Sequence, residues 1–256
     1  MASADFDFTN ETGRTLSGQL ETGLKPVRAW AVFAHCFTCN KSSLAATRVS
    51  RALADRGIGV LRFDFTGLGD SEGQFGSGLS GDVADVVCAA EAMNTNGMRV
   101  QLLVGHSFGG AAVLAAAHAI ETVRAVAVIG TPFDAEHVLA HVSSTLEGSS
   151  KGERNQLSIG GRDFELGTEF VADICSHNQQ ERIQNLGRAL LVLHSPIDEV
   201  VSVDNAALIF QSARHPKSFV ALDDADHLLG VKRNAEYAAG VIAAWSDLYL
   251  KSVLTV

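Results

Sequence analysis

The chain has 256 residues, 46% of them hydrophobic and only 19% charged, with 24 glycines, a composition that supports one folded domain and excludes a disordered or coiled-coil chain. The formal net charge is −9, and no run of Lys or Arg forms the basic stripe that a phosphate backbone requires, so nucleic acid is not an expected partner. The opening residues MASADFDFTNETG lack a basic region followed by an apolar one, and no stretch approaches the ~18 uninterrupted apolar residues that span a bilayer; a soluble, cytoplasmic protein is expected.

In chain order, residues 4–22 alternate polar and apolar positions around Asn10-Glu11-Thr12-Gly13, which predicts a hairpin adding antiparallel strands at a sheet edge. Short apolar runs follow at Ala29–His35, Gly59–Phe65, Val100–Gly105, Val123–Ile129, Ala189–His194 and Ser218–Leu222. They are continuous rather than alternating, so both faces of each strand should be buried, as in a parallel sheet covered by helices on each side. Helical spacing occupies Ser42–Arg56, Ser80–Asn96, Phe108–Ala119, Val203–Arg214 and Asn234–Leu250. The repeating β-α order predicts a doubly wound α/β sheet.

Residues 134–187 break this rhythm. Ser143-Ser144, Gly148 to Gly152 and Gly160-Gly161 punctuate two weak helices and a short alternating stretch, Gln156–Leu166. The segment reads as a lid inserted at the C-terminal edge of the sheet, within one domain spanning residues 1–256, because no linker or internal repeat divides the chain. Four cysteines, Cys36, Cys39, Cys88 and Cys175, are too few for a disulfide scaffold, and two fall in segments that read as buried helix; reduced thiols are expected. Cys36 and Cys39 have C-x-x-C spacing, but no second pair and no His pair completes a zinc set, so neither metal nor cofactor is expected.

The chemistry-bearing pattern is Gly105-His106-Ser107-Phe108-Gly109-Gly110, which matches G-x-S-x-G with a predicted strand before it and a helix after it. A nucleophile on so sharp a turn needs small residues two positions to either side, and Gly105 and Gly109 meet that need. The helix starting after Ser107 points its positive end at the site. Serine needs a base to take its proton, and among nine histidines His227 is placed for it, in the loop that follows the final apolar run as Asp223-Asp224-Ala225-Asp226-His227. His35 and His106 lie too early in the chain, His118 sits mid-helix, and His137, His141 and His177 fall in the lid. Asp198, after the run ending at His194, supplies the carboxylate that orients the base; Glu199 and Asp134 are its competitors. The order Ser107, Asp198, His227 is the nucleophile-acid-base order of an α/β hydrolase.

An oxyanion needs two donors. Phe108 supplies one by position, as the amide after the nucleophile, and Phe37, in the loop after the first central strand, is the candidate for the other. Arg62-Phe63-Asp64-Phe65-Thr66-Gly67-Leu68-Gly69-Asp70-Ser71 carries carboxylates that could be mistaken for catalytic ones, but reads as a tight glycine turn beside the oxyanion loop. Phe37, Phe108, Phe133, Phe164 and Phe170 could line an apolar acyl pocket or form ordinary core.

Four strings, His35-Cys36-Phe37-Thr38-Cys39, Arg62 to Gly69, Gly105 to Gly110 and Ala213-Arg214-His215-Pro216-Lys217-Ser218-Phe219, give a chain that resembles bacterial α/β hydrolases occurring alone or fused ahead of an OsmC-type domain. The resemblance extends from about Asp7 to Leu250. It implies carboxylesterase-type activity on small or medium acyl esters, with some relatives acting on polyesters. It also implies that Cys36 and Cys39 belong to the oxyanion loop rather than to a metal site, although Cys36 stands where many relatives carry glycine. Fused relatives would continue past the position of Val256 into a peroxide-handling domain, and no peroxidase activity is expected of the residues here. The expected function is ester hydrolysis through an acyl-enzyme at Ser107 on a small-molecule substrate. A serine peptidase or amidase and a non-catalytic binding module are the alternatives, and the sequence leaves a homo-oligomer open.

Overall fold

The computed structural model of the chain describes residues 2–141, 154–159 and 162–250. A strand covered on both faces favours apolar side chains along its length, and five segments are largely apolar and buried: β5 (Ala29–Ala34), β6 (Ile58–Phe63), β7 (Val100–His106), β8 (Ala125–Ile129) and β11 (Ala189–His194). The sixth, β12 (Lys217–Ala221), is not buried on both faces as its run suggested: it is the edge strand, only partly buried, with Phe219 exposed. The six pair in parallel in the order β6-β5-β7-β8-β11-β12. Two antiparallel strands, β4 (Gly18–Thr22) and then β1 (Ala2–Asp5), extend the edge beyond β6 and complete an 8-stranded sheet. The turn around Asn10–Gly13 joins β2 (Phe8–Thr9) to β3 (Thr15–Leu16), a small hairpin nested between them. The N-terminal expectation therefore holds, with two nested pairings rather than one.

Side chains alternate between the two faces, so each strand feeds two cores. Along β5, Val32 and Ala34 enter one core with Val86, Val113 and Ile209, while Ala31 and Phe33 enter the other with Val49, Leu53 and Ile242. The helices sort accordingly. α1 (Leu44–Ala54) and α7 (Lys232–Ser246) cover one face. α2 (Gly78–Thr95), α3 (Phe108–Ala116) and α6 (Asp204–Ser212) cover the other. Helix α3 stops three residues short of the sequence expectation, in a turn through His118.

The chain runs from β5 outward to β6, then returns past β5 to β7. This reversal makes the carboxyl ends of β5 and β7 a topological switch point, the place where open α/β sheets form their crevice. Over that edge, the segment expected as an insertion contains a 3-10 helix at Ala135–His141, a hairpin of β9 (Arg154–Ile159) and β10 (Arg162–Gly167), and the short helices α4 (Thr168–Cys175) and α5 (Gln179–Gln184). The alternating stretch Gln156–Leu166 is thus a hairpin, while Ser143-Ser144, Gly148 to Gly152 and Gly160-Gly161 lie outside the described residues. Among the described residues no helix is long and apolar enough to cross a membrane.

Candidate active site

Strand β7 ends at His106 and α3 starts at Phe108, leaving Ser107 alone on the turn with φ +53° and ψ −124°. A non-glycine residue pays about 1–3 kcal/mol to occupy such a region, and the surroundings enforce it. The Ser107 amide donates to the Ile129 carbonyl on β8 at 2.8 Å, and the Ser107 carbonyl accepts from the Gly110 amide at 2.9 Å. The flanking glycines are steric necessities. A Cβ on Gly105 would stand 2.5 Å from the Gly109 carbonyl oxygen, and one on Gly109 would stand 2.3 Å from that of His35. The second contact also shows that the first turn of α3 lies directly on the loop leaving β5.

His227 follows β12 in the turn before α7, and its Nδ1 lies 2.7 Å from Oδ2 of Asp198, which follows β11. The other oxygen of Asp198 accepts the amides of Val200 and Val201, both at 2.9 Å. Burial alone would raise this carboxyl. The hydrogen bonds from His227, Val201 and Val200, together with the His227 charge, outweigh burial and hold it below the usual carboxylate range. Of the competitors, Glu199 is exposed, and Asp134 is exposed with its Oδ1 accepting the Glu136 amide.

Three further residues hold this pair, and sequence reasoning assigned none of them a role. Gly130, at φ +55°, lies under it: a Cβ there would stand 3.2 Å from Asp198 Oδ2 and 3.4 Å from His227 Nδ1. His106 is fully buried, and its Nε2 bonds the His227 carbonyl at 2.7 Å, tying the Ser107 turn to the His227 loop. Burial first, then the His227 charge, lowers the His106 pKa to about 3, so the ring is neutral and donates through Nε2. His194 repeats the device beneath Asp198: its Nε2 bonds the Val201 carbonyl at 2.8 Å, and burial lowers its pKa too. A histidine preceding a motif residue was visible in the sequence, but a partner 121 positions away was not.

The side chains of Phe37 and Phe108, the two residues expected to supply donors, are in contact. Their rings meet edge to face with centroids 5.5 Å apart, and Phe37 also packs on Phe75 and Phe170. Phe164 of β10 adds to the cluster through Phe75 at 4.9 Å, so Phe164 and Phe170 of the 134–187 segment pack against the rings beside the loop after β5. Phe75 is a member that the sequence reading did not name. Phe133 packs partly buried against the same core, with its amide bonded to Asn205.

The Asp64 turn has the scaffolding role anticipated for it. Buried Asp64 accepts Lys41 Nζ at 2.6 Å and the Asp70 amide at 2.9 Å, and a Cβ on Gly69 would overlap its carboxylate. Arg62, paired with buried Glu21 at 2.7 Å, donates to the Lys41 carbonyl at 2.6 Å. These bonds pin the far end of the loop that follows β5.

One expectation is overturned: Cys36 and Cys39 are not reduced but joined in a disulfide. The backbone between them turns through Thr38 at φ +56°, with the Cys39 amide bonded to the Cys36 carbonyl at 3.1 Å, and this brings the two Cα atoms within 5.3 Å, inside the range a disulfide spans. Cys88 and Cys175 are free, and Cys175 is exposed at its helix end rather than buried. Among the described residues no group of His, Cys, Asp or Glu is arranged to hold a metal ion.

A profile of the alpha/beta hydrolase family matches residues 31–240. The chain belongs to that family. The hydrolase is 39% identical to the esterase domain of a Rhodothermus marinus protein, with 98% of this chain and 100% of that one aligned at a TM-score of 0.80. It is 16% identical to the alpha/beta hydrolase GrgF from a Penicillium species (98% and 99% covered, TM-score 0.80). It is equally distant from Est1E of Butyrivibrio proteoclasticus, solved with ferulic acid (16% identity, 95% and 98% covered, TM-score 0.77). At that identity the last two speak for the fold alone. No curated protein sequence matches the hydrolase.

Proposed function

We propose that this hydrolase cleaves carboxylic esters through an acyl-enzyme on Ser107. The observation that carries the reading is the strained serine at φ +53°, set on the turn whose neighbour His106 is bonded to the loop of a His227–Asp198 pair 2.7 Å apart. The Ser107 hydroxyl attacks the ester carbonyl while His227 Nε2 takes its proton, and the Asp198 carboxylate fixes the ring tautomer and steadies the imidazolium. The amides of Phe37 and Phe108 hold the oxyanion at the positive end of α3. His227 then protonates the leaving alcohol, and water activated by the same ring releases the acid.

The similarity to the Rhodothermus marinus esterase domain supports an ester over an amide. The described part of residues 134–187 acts as a lid in a single-domain protein, and the rings of Phe37, Phe75, Phe108, Phe164 and Phe170 pack together beside the oxyanion donors. The acyl group accepted there is small to medium. The test is hydrolysis of p-nitrophenyl esters from acetate to palmitate by the wild type and Ser107→Ala. Turnover that peaks at short or medium chains and vanishes in the variant supports the reading. Turnover that survives in Ser107→Ala removes the nucleophile from it, and a steady rise toward palmitate removes the small pocket.

A further inference from the structure

The C-x-x-C pair encloses Phe37, the residue read above as the second oxyanion donor, and that placement has a mechanical meaning. The orientation of the Phe37 N–H is set by the peptide that joins it to Cys36. In a planar trans peptide the carbonyl and the following N–H point in opposite directions, so fixing one aims the other. The Cys36 carbonyl is fixed twice, by His35 Nδ1 at 2.9 Å and by the Cys39 amide at 3.1 Å. His35 is buried and is itself bonded at Nε2 by the Phe65 amide, which places its proton on Nδ1.

The second of those two bonds exists only while residues 36–39 keep their turn. That turn holds Thr38, a β-branched residue, at φ +56°, a conformation unfavourable for such a side chain. Beyond it, Arg62 and Asp64 secure the backbone at Lys41. Between these buried anchors, residues 37–40 are partly exposed. The covalent link across the turn is the disulfide. It joins residues three apart and connects no separate elements, so the fold does not depend on it; the loop apex does.

We propose that the Cys36–Cys39 disulfide is a positioning clamp for the Phe37 oxyanion donor, so that the hydrolase works in its oxidised form and thiol reduction slows acylation. This rests on the reading of Ser107, His227 and Phe37 given above. Cys36 is buried while Cys39 is partly exposed, so the accessible sulfur is Cys39 Sγ. A thiolate of a small dithiol attacks that sulfur, the S–S bond breaks, and Cys36 leaves as a thiolate that takes up a proton. The second thiol of the reductant then displaces Cys39, giving a cyclic disulfide and the protein dithiol, with two electrons passed to the protein. Freed of the link, Thr38 relaxes toward negative φ and the 36–37 peptide loses one of its two restraints.

The experiment measures p-nitrophenyl ester hydrolysis by the full chain before and after dithiothreitol, with thiol state read by intact mass after alkylation of a parallel sample and melting temperature followed in both forms. Reduction is expected to lower kcat roughly 10-fold or more, toward the ~10²-fold loss typical of a missing donor, with KM changed by less than roughly threefold. Reoxidation restores the rate. Cys36→Ala/Cys39→Ala matches the reduced enzyme and ignores dithiothreitol. The proposal is overturned by full activity with both thiols free, by cysteines that never pair in the purified protein, or by a loss that tracks a collapse of melting temperature and does not recover. Ser107→Ala separates the two readings: if that variant retains turnover, the catalytic assignment fails whatever the cysteines do.

Discussion

Replacing Ser107 by Ala and by Gly should reverse the usual stability order of those two residues. In ordinary backbone, Ala is the more stabilising, because glycine's extra freedom in the unfolded chain costs ~0.4–1 kcal/mol on folding. At φ +53° and ψ −124° the Cβ itself is penalised, by about 1–3 kcal/mol, and glycine is spared this. The difference leaves Ser107→Gly more stable than Ser107→Ala by roughly 0.5–2 kcal/mol. For a chain of this size that is a gap of about 1–8 °C in melting temperature, since each kcal/mol moves the midpoint by ~2–4 °C. Both variants lack the hydroxyl, so activity does not enter the comparison, and thermal or urea melts of the two proteins decide it. An Ala variant as stable as the Gly variant, or more so, would show that the serine turn is not strained and would refute the argument.

Three further outcomes follow from the same geometry. Asp198→Asn should lower kcat by ~10⁴ with little change in KM, because the amide no longer holds His227 in its working tautomer, whereas Glu199→Gln should leave ester turnover close to wild type; the converse pattern would move the acid to Glu199. Gly130→Ala should lose ~10- to 100-fold in kcat, since its Cβ enters at 3.2 Å from Asp198 Oδ2 and nudges the base–acid pair, and wild-type kinetics would show that the pair has room to spare. Stability should fall in acid through His106. Its pKa is about 3 when folded and ~6.5 when unfolded, so below pH ~6.5 the unfolded chain binds the extra proton. The contribution is intact above that pH and is lost progressively toward pH 3; urea titrations of His106→Gln should give a shallower decline between pH 6.5 and 4.5, and an equal slope would count against a buried neutral ring.

The central strands were readable because their runs are predominantly apolar, and the helices because their spacing is regular between those runs; the edge strand Lys217–Ala221 is half-exposed, which its apolar run did not show. Ser107 was readable because its chemistry is local: Gly105 and Gly109 must be small where they are, and the sequence says so. The pairing of Asp198 with His227 was foreseeable from chain order, because each follows a strand end on the same edge of the sheet. The supports were not readable. Gly130 looks like any glycine after a strand, and His106 and His194 acquire their roles from carbonyls that the fold, not the chain, brings near. Phe75 joins the aromatic cluster for the same reason. The disulfide was misjudged on a different ground, since C-x-x-C spacing says nothing of oxidation state, and it is the Thr38 turn that brings the two sulfurs together.

The most direct test of the central claim is intact-mass analysis after treatment with a fluorophosphonate, with the adduct located by peptide mapping. One adduct per chain, on Ser107, absent from Ser107→Ala and formed far more slowly in His227→Ala, is the predicted result. Ester turnover in a protein that takes no adduct at Ser107, or takes it on another residue, would contradict the account.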